Sequence, residues 1–203
     1  MKTIILASGS PRRQELLKML NIPFKTMASN VSEDISDVLE IDNSPYERVK
    51  YLSTIKARAV AAEAENNSVI IGCDTVVAHM GRILNKPADD TEAKAMLCQL
   101  SGRKHSVYTG LTIINKAEDG GLTEKTYVDC TEVSMLPISD EEIINYIASG
   151  ECADKAGAYA IQGKGSIFIE SITGDYYTVM GLPVRILAAA LKEFGINVTD
   201  YWK

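Results

Sequence analysis

Residues 4–20 read IILASGSPRRQELLKML. The stretch begins as an apolar run, bends over Ser8, Gly9 and Ser10, and continues with leucines at helical spacing. With Thr3 added, TIILAS reads as a buried strand. Ser10 stands where an N-cap belongs, and Pro11 where a missing N–H costs nothing. Leu16, Leu17 and Leu20 give the helix an apolar face. A strand, a small-residue turn and a helix in that order open an α/β chain. Arg12 and Arg13 sit in the first helical turn, where the dipole disfavours added cations. Two readings account for them. One is a capped helix with two solvated arginines. The other is an anion site in which backbone N–H groups, the Ser8 and Ser10 hydroxyls and two planar guanidinium forks surround phosphate oxygens. Two arginines in a single first turn favour the anion site.

The same alternation continues outward. NIPFKTMAS reads as a short strand and the acidic NVSEDISDVLEIDN as a loop. SPYERVKYLSTIKARAVAAEAE is the clearest helix, with Ser44 and Glu47 at capping-box spacing and Pro45 at the first position. SVIIGCDTVVAHMGRIL reads as a strand, a hairpin turn at Met80–Gly81 and a returning strand. DDTEAKAMLCQLSG is a helix with Asp90 or Thr91 as cap and Gly102 as stop. HSVYTGLTIINK and LTEKTYVDCTEVSML are strands. SDEEIINYIASG is a helix with a second capping box at Ser139 and Glu142. GAYAI and SIFIESI read as short strands, and a last helix starts near Pro183. Strands and helices are intermixed without repeats or linkers, so the expected class is α/β with a mixed sheet, in a single domain over residues 1–203.

Composition narrows the function. The chain has 203 residues, 46% hydrophobic and 24% charged, with a formal net charge of −6. An acidic balance argues against a nucleic-acid partner, while a local cluster of bases can still receive a small anion. The four cysteines, Cys73, Cys98, Cys130 and Cys152, form no C-x-x-C pair, and His79 and His105 are the two histidines. That spacing does not make a zinc site, and isolated cysteines point to reduced thiols in a cytoplasmic protein. The opening residues read as a buried strand and not a signal peptide, and no apolar run is long enough to span a membrane.

Several residues carry chemistry. Asp74, in VIIGCDTVVAH, lies inside an apolar run, so it is expected at a strand end near the core. Its charge there needs a metal ion, a cation or turn N–H groups. Lys56 falls on the apolar stripe of the helix from Pro45, with Val49, Leu52, Ala59 and Val60. Either it snorkels outward or it projects into a cleft. Lys86, between a strand and Pro87, is by itself a solvated loop lysine. Glu33 and Asp34, taken alone, mean only a solvated acidic loop. DKAGAYAIQGKGS superficially suggests a phosphate loop, but five residues separate Gly157 from Gly163 and Gly165 follows Lys164, so the required spacing fails. Gln162 is either a strand-end polar residue or an amide able to read a base edge. Neither histidine has a nucleophile partner, so a Ser-His-Asp arrangement is unsupported.

In order along the chain, LASGSPRRQELL, GCDTVV, LNKP, LSGRKHSVYTG, DKAGAYAIQG and GDYYTVMGLP resemble the Maf family of nucleoside triphosphate pyrophosphatases. The matches run from Leu6 to Pro183. The resemblance implies a mixed twisted sheet with flanking helices, two lobes around a central cleft, and an architecture like the inosine triphosphate pyrophosphatases. Members are often homodimers and need a divalent metal, Mg²⁺ or Mn²⁺. They cleave a nucleoside triphosphate between the α and β phosphates. DKAGAYAIQG looks like the branch acting on dTTP and UTP. The 7-methyl-GTP branch is similar but tends to carry Glu in place of Gln162. On this resemblance Arg12, Thr75 and Gln162 fall on positions for base selectivity, and Asp74 on the proton acceptor. Ser8, Arg13, Glu33, Lys56 and Lys86 fall on the other polar positions of the cleft. Cys73 departs from the commoner Ala.

The expected chemistry is hydrolysis with Arg12, Arg13, Lys56 and Lys86 on the phosphates, and with Asp74 and Glu33 sharing metal binding and activation of water. A second expectation, of another class, is a nucleotide-binding regulator of cell division, since the family name reflects an association with septum formation. A catalytically dead variant that still alters division would favour it. A nucleotidyl- or sugar-transferase using the G-S-P-R turn is a third reading, and it requires a second substrate.

Overall fold

The computed structural model describes residues 2–35 and 44–202. Most of the acidic loop expected over residues 30–43 therefore lies outside the described residues, although residues 30–35 have no regular structure. Among the described residues the strands are β1 (Thr3–Leu6), β2 (Lys25–Thr26), β3 (Ser68–His79), β4 (Arg82–Leu84), β5 (Lys104–Lys116), β6 (Leu122–Met135) and β7 (Ile169–Thr173). The helices are α1 (Pro11–Met19), α2 (Pro45–Glu63), α3 (Asp90–Leu100), α4 (Asp140–Ala148), α5 (Tyr176–Met180) and α6 (Val184–Glu193). The sheet order is β2-β1-β3-β5-β6-β7, with β4 also paired to β3. The sheet is mixed: β1 runs parallel to β2 and β3, whereas β4 is antiparallel to β3 and β7 to β6.

Local chemistry explains most element boundaries. In α4 the Ser139 hydroxyl accepts the Glu142 N–H and the Glu142 carboxylate accepts the Ser139 N–H, a complete capping box. Ser44 accepts the Glu47 N–H and caps α2. In α3 the cap is Asp89, whose carboxylate accepts the Glu92 N–H, and not Asp90 or Thr91 as expected. Asp89 has the extended backbone that an N-cap needs, φ −154° and ψ 178°, whereas Asp90 and Thr91 already lie inside the helix. Met80 and Gly81 both have positive φ, 49° and 75°, as a two-residue hairpin turn twisted to match its strands requires. Ser10 occupies the N-cap position of α1, yet its side chain makes no capping bond.

Two expected strands are replaced. Gly157 and Ala158 of GAYAI end the 3-10 turn Ala156–Ala158, and the start of SIFIESI lies in the 3-10 turn Lys164–Phe168. Of these two segments only residues from Ile169 on, in Ile169–Thr173, pair into the sheet. Gly157 and Ala158 have φ of 68° and 60°, which no strand tolerates. The stripe of α2 also differs, with Ser53, Ala57 and Ala61 buried in place of Ala59.

The chain divides into two compact units. The first comprises Met1–Asp74, Thr109–Asp129 and Gly181–Lys203; the second comprises Thr75–Tyr108 and Cys130–Met180. In the first, α2 packs Ala57, Val60 and Ala61 against Ile5, Ile70 and Ile114 of the strands. The approach is close. A Cβ on Gly72 would stand 2.4 Å from the Ser53 carbonyl, and one on Gly110 would stand 2.1 Å from the Val49 carbonyl. Both glycines are notches that let the helix backbone rest on the sheet. In the second, α3 and α4 bury Leu97, Leu100 and Ile143 with Val107, Val133 and Phe168.

Candidate active site

Gly72 and Ala57 determine how near α2 comes to β3, and each is one or two residues from a charged group. Lys56 lies on the buried face of α2, only 7% exposed, and Asp74 on β3 is likewise 7% exposed. Lys56 Nζ donates to Asp74 Oδ1 at 2.7 Å and to Glu33 Oε1 at 2.6 Å. The lysine therefore does not snorkel. It is the cation that compensates the buried acid, one of the three partners the sequence allowed. Asp74 is not at a strand end as expected. It is the seventh of the twelve residues of β3. The strand continues past it because Lys56 reaches it from the side without disturbing the backbone ladder.

Glu33 differs from the other two, its side chain being 54% exposed. The trio thus runs from a buried carboxylate through a buried ammonium to a carboxylate at the solvent. Burial pushes the Asp74 carboxyl above the usual aspartate value, Lys56 and Arg13 pull it down, and Glu33 adds to the rise. Cys73, wholly buried beside it, has its thiol pushed up to about 11 by desolvation, so it is inert as a nucleophile.

Arg13 belongs to the same electrostatic neighbourhood. Its Nε donates to the Gly181 carbonyl at 2.8 Å and its Nη1 to Ser8 Oγ at 2.9 Å. Ser8 Oγ also accepts the Ser10 N–H at 3.2 Å. The turn before α1 is therefore held by a side-chain fork and not by a hydroxyl cap. Arg12, in the same first turn, is half-buried. Gly181 was not anticipated as a member of this cluster. Its φ of 105° and its place in GDYYTVMGLP are the trace it leaves in the sequence.

The structure brings together Ser8, Arg13, Glu33, Lys56 and Asp74, all within the first unit. Thr75, Lys86 and Gln162 belong to the second unit. Thr75 follows Asp74 on β3 and is half-buried. Lys86 is exposed in the loop after β4. The Gly157 N–H donates to the carbonyl of its neighbour Asn85 at 3.2 Å. Gln162 is exposed between the two 3-10 turns. It is a turn residue and not a strand-end one.

A buried carboxylate, its ammonium and a second carboxylate suit two tasks. They can neutralise a polyanion, and they can accept a proton in a low-dielectric setting. Among the described residues no three His, Cys, Asp or Glu side chains cluster as a metal set. The two carboxylates still fit a hard divalent ion of the Mg²⁺ type, which takes one or two carboxylates and completes its shell with water and substrate phosphates.

The chain is similar to known proteins over most of its length. The family profile described as Maf-like protein matches residues 3–194. A Bacillus cereus (strain G9842) protein named dTTP/UTP pyrophosphatase is 49% identical over 201 residues, covering 98% of this chain and 99% of that one. A Bacillus mycoides (strain KBAB4) protein of the same name is 48% identical over 199 residues, with 98% and 99% covered. Among solved structures, a HAM1 protein from Coxiella burnetii aligns with a TM-score of 0.43 at 16% identity, over 66% of this chain and 73% of that one.

Proposed function

The chain belongs to the Maf family, and from that premise we propose that it hydrolyses dTTP and UTP to the nucleoside monophosphate and pyrophosphate. The observation that carries the reading is 49% identity, end to end, with a protein named for that activity. The buried Lys56–Asp74 pair, linked to Glu33, supports it independently as chemistry.

Arg12, Arg13, Lys56 and Lys86 hold the triphosphate and offset the charge that develops on it, with Ser8 fixing the Arg13 fork. Asp74 accepts the proton of the attacking water. Lys56 engages its Oδ1, so on this reading Oδ2 is the oxygen that takes the proton. Asp74 and Glu33 are the residues that would hold a Mg²⁺ or Mn²⁺ ion, which when bound supplies further charge neutralisation at the phosphates. Thr75 and Gln162 select the base, Gln162 by pairing its amide with a pyrimidine edge. The reduced state of the cysteines fits a cytoplasmic setting. A homodimer and a small-molecule substrate, with no nucleic acid or membrane partner, complete the proposal. Among the described residues no helix is long and apolar enough to cross a membrane.

The test is a panel of natural triphosphates with Mg²⁺ or Mn²⁺, with pyrophosphate assayed separately from phosphate. The wild-type chain releases pyrophosphate from dTTP and UTP, and Asp74→Asn loses turnover by about a thousandfold or more while still binding nucleotide. Wild-type turnover in Asp74→Asn removes the proton-acceptor role. No pyrophosphate from either pyrimidine nucleotide removes the function.

A further inference from the structure

The second unit contains a polar clamp that the chemistry above does not use. Glu151 follows α4, and its carboxylate accepts two consecutive backbone N–H groups. These are Lys164 N–H on Oε1 and Gly165 N–H on Oε2, each at 3.0 Å. The Tyr146 hydroxyl, on α4, donates to Glu151 Oε2 at 2.9 Å and accepts the Ala160 N–H at 3.1 Å. Its ring packs edge-on against Phe168 at 5.4 Å between centroids.

These bonds anchor the backbone on both sides of a three-residue arc, Ile161–Gln162–Gly163. Ile161 is buried in the core of the unit, and Gln162 is exposed. The glycines are required by the clamp. A Cβ on Gly163 would stand 2.1 Å from Glu151 Oε1, and one on Gly165 would stand 2.7 Å from the Ala160 carbonyl. The GKG that resembles part of a phosphate loop is thus an anion-binding turn whose anion is the chain's own carboxylate. Burial pushes the Glu151 carboxyl up, and the Lys164 and Gly165 N–H groups with the Tyr146 hydroxyl more than offset this, so it stays ionised at neutral pH.

We propose that Glu151 and Tyr146 are positioning residues that fix the arc carrying Gln162 and thereby set the base selectivity of the enzyme. The inference rests on the base-reading role of Gln162 proposed above. An amide discriminates between bases only when its donor and acceptor are held in one place, and an exposed Gln on an untethered turn would average over many.

Two variants test it. Tyr146→Phe keeps the ring on Phe168 and deletes both hydroxyl bonds. Glu151→Gln keeps the volume but turns an N–H₂ toward a backbone N–H. Selectivity is read as kcat/KM for UTP over CTP. Each variant lowers it about tenfold, with kcat at saturating UTP within about threefold of wild type. Adding Gln162→Ala to either variant lowers selectivity no further than Gln162→Ala alone, because all act through one amide. Losses that add in full, or unchanged selectivity in both variants, overturn the proposal. Amide hydrogen exchange reads the clamp without activity. It accelerates over residues 160–165 in both variants and not in α3, and unchanged exchange also overturns the proposal. If the wild type releases no pyrophosphate from dTTP or UTP, the functional reading fails and takes the selectivity role with it. The exchange result then decides the clamp alone.

Discussion

Lys56 holds two carboxylates on one ammonium, and its two partners differ in what they would lose without it. The Glu33 side chain is half-exposed, whereas Asp74 would stay buried beside Cys73 and Gly72 without the cation that hydrogen-bonds it, the Arg13 charge alone offsetting its own. Removing one member of a buried pair costs more than the pair itself contributes. Lys56→Met is therefore expected to lower stability by about 3–5 kcal/mol and to raise the Asp74 carboxyl further. The double variant Lys56→Met/Asp74→Asn recovers much of that loss, since no charge remains to be stranded. Urea unfolding of the wild type, both single variants and the double variant measures this. A double variant no more stable than Lys56→Met would mean that the lysine acts by packing and not by charge. Each of the two residues is visible in the sequence as a charge on an apolar stripe or in an apolar run. Their pairing is not, because 18 residues separate them and the contact depends on how near a helix comes to a strand.

That distance is set at the level of elements. α2 rests on β3 and β5 through Gly72 and Gly110, and Gly72 lies two residues before Asp74 on β3. Gly72→Ala must push the helix away from the strand or force the strand off its register. Overpacking of this kind costs about 1–3 kcal/mol, and more against backbone. The expected outcome is a loss of about 3 kcal/mol together with reduced turnover, as Lys56 withdraws from Asp74. Stability near wild type with full turnover would show that the helix yields without moving the pair. The helices with local start signals were legible: Ser44, Ser139 and the proline positions depend only on neighbours in sequence. GAYAI was not, although its composition suits a strand. Its backbone is committed to Asn85 and to the Tyr146 hydroxyl, both outside the segment, and Gly157 takes a positive φ. α5 does begin at a local signal, Asp175, whose Oδ1 accepts the Tyr177 N–H at 2.9 Å.

At the scale of the molecule, the two histidines bear on stability and not on catalysis. Both are buried in the second unit, His79 donating from Nδ1 to the Lys104 carbonyl at 3.0 Å and His105 Nε2 lying 2.7 Å from the Tyr159 hydroxyl. Burial, then the charge of His79, pushes His105 down from 6.5 to about 4. Between those values the unfolded chain takes a proton that the folded chain refuses, so stability falls as pH drops through that window. At pH 5 the His105 contribution to the loss is about 2 kcal/mol relative to pH 7. His105→Gln should lose correspondingly less between the two pH values in urea titrations, and equal losses would free His105 of the effect. The division into units has a different bearing, on the order of events during synthesis. The unit with Arg13, Lys56 and Asp74 is completed by residues 181–203, while the Arg13 guanidinium waits for the Gly181 carbonyl. A nascent chain that has not yet reached residue 181 therefore lacks the carbonyl that receives Arg13 Nε, and its first turn is held by the Ser8 hydroxyl bonds until that carbonyl is made.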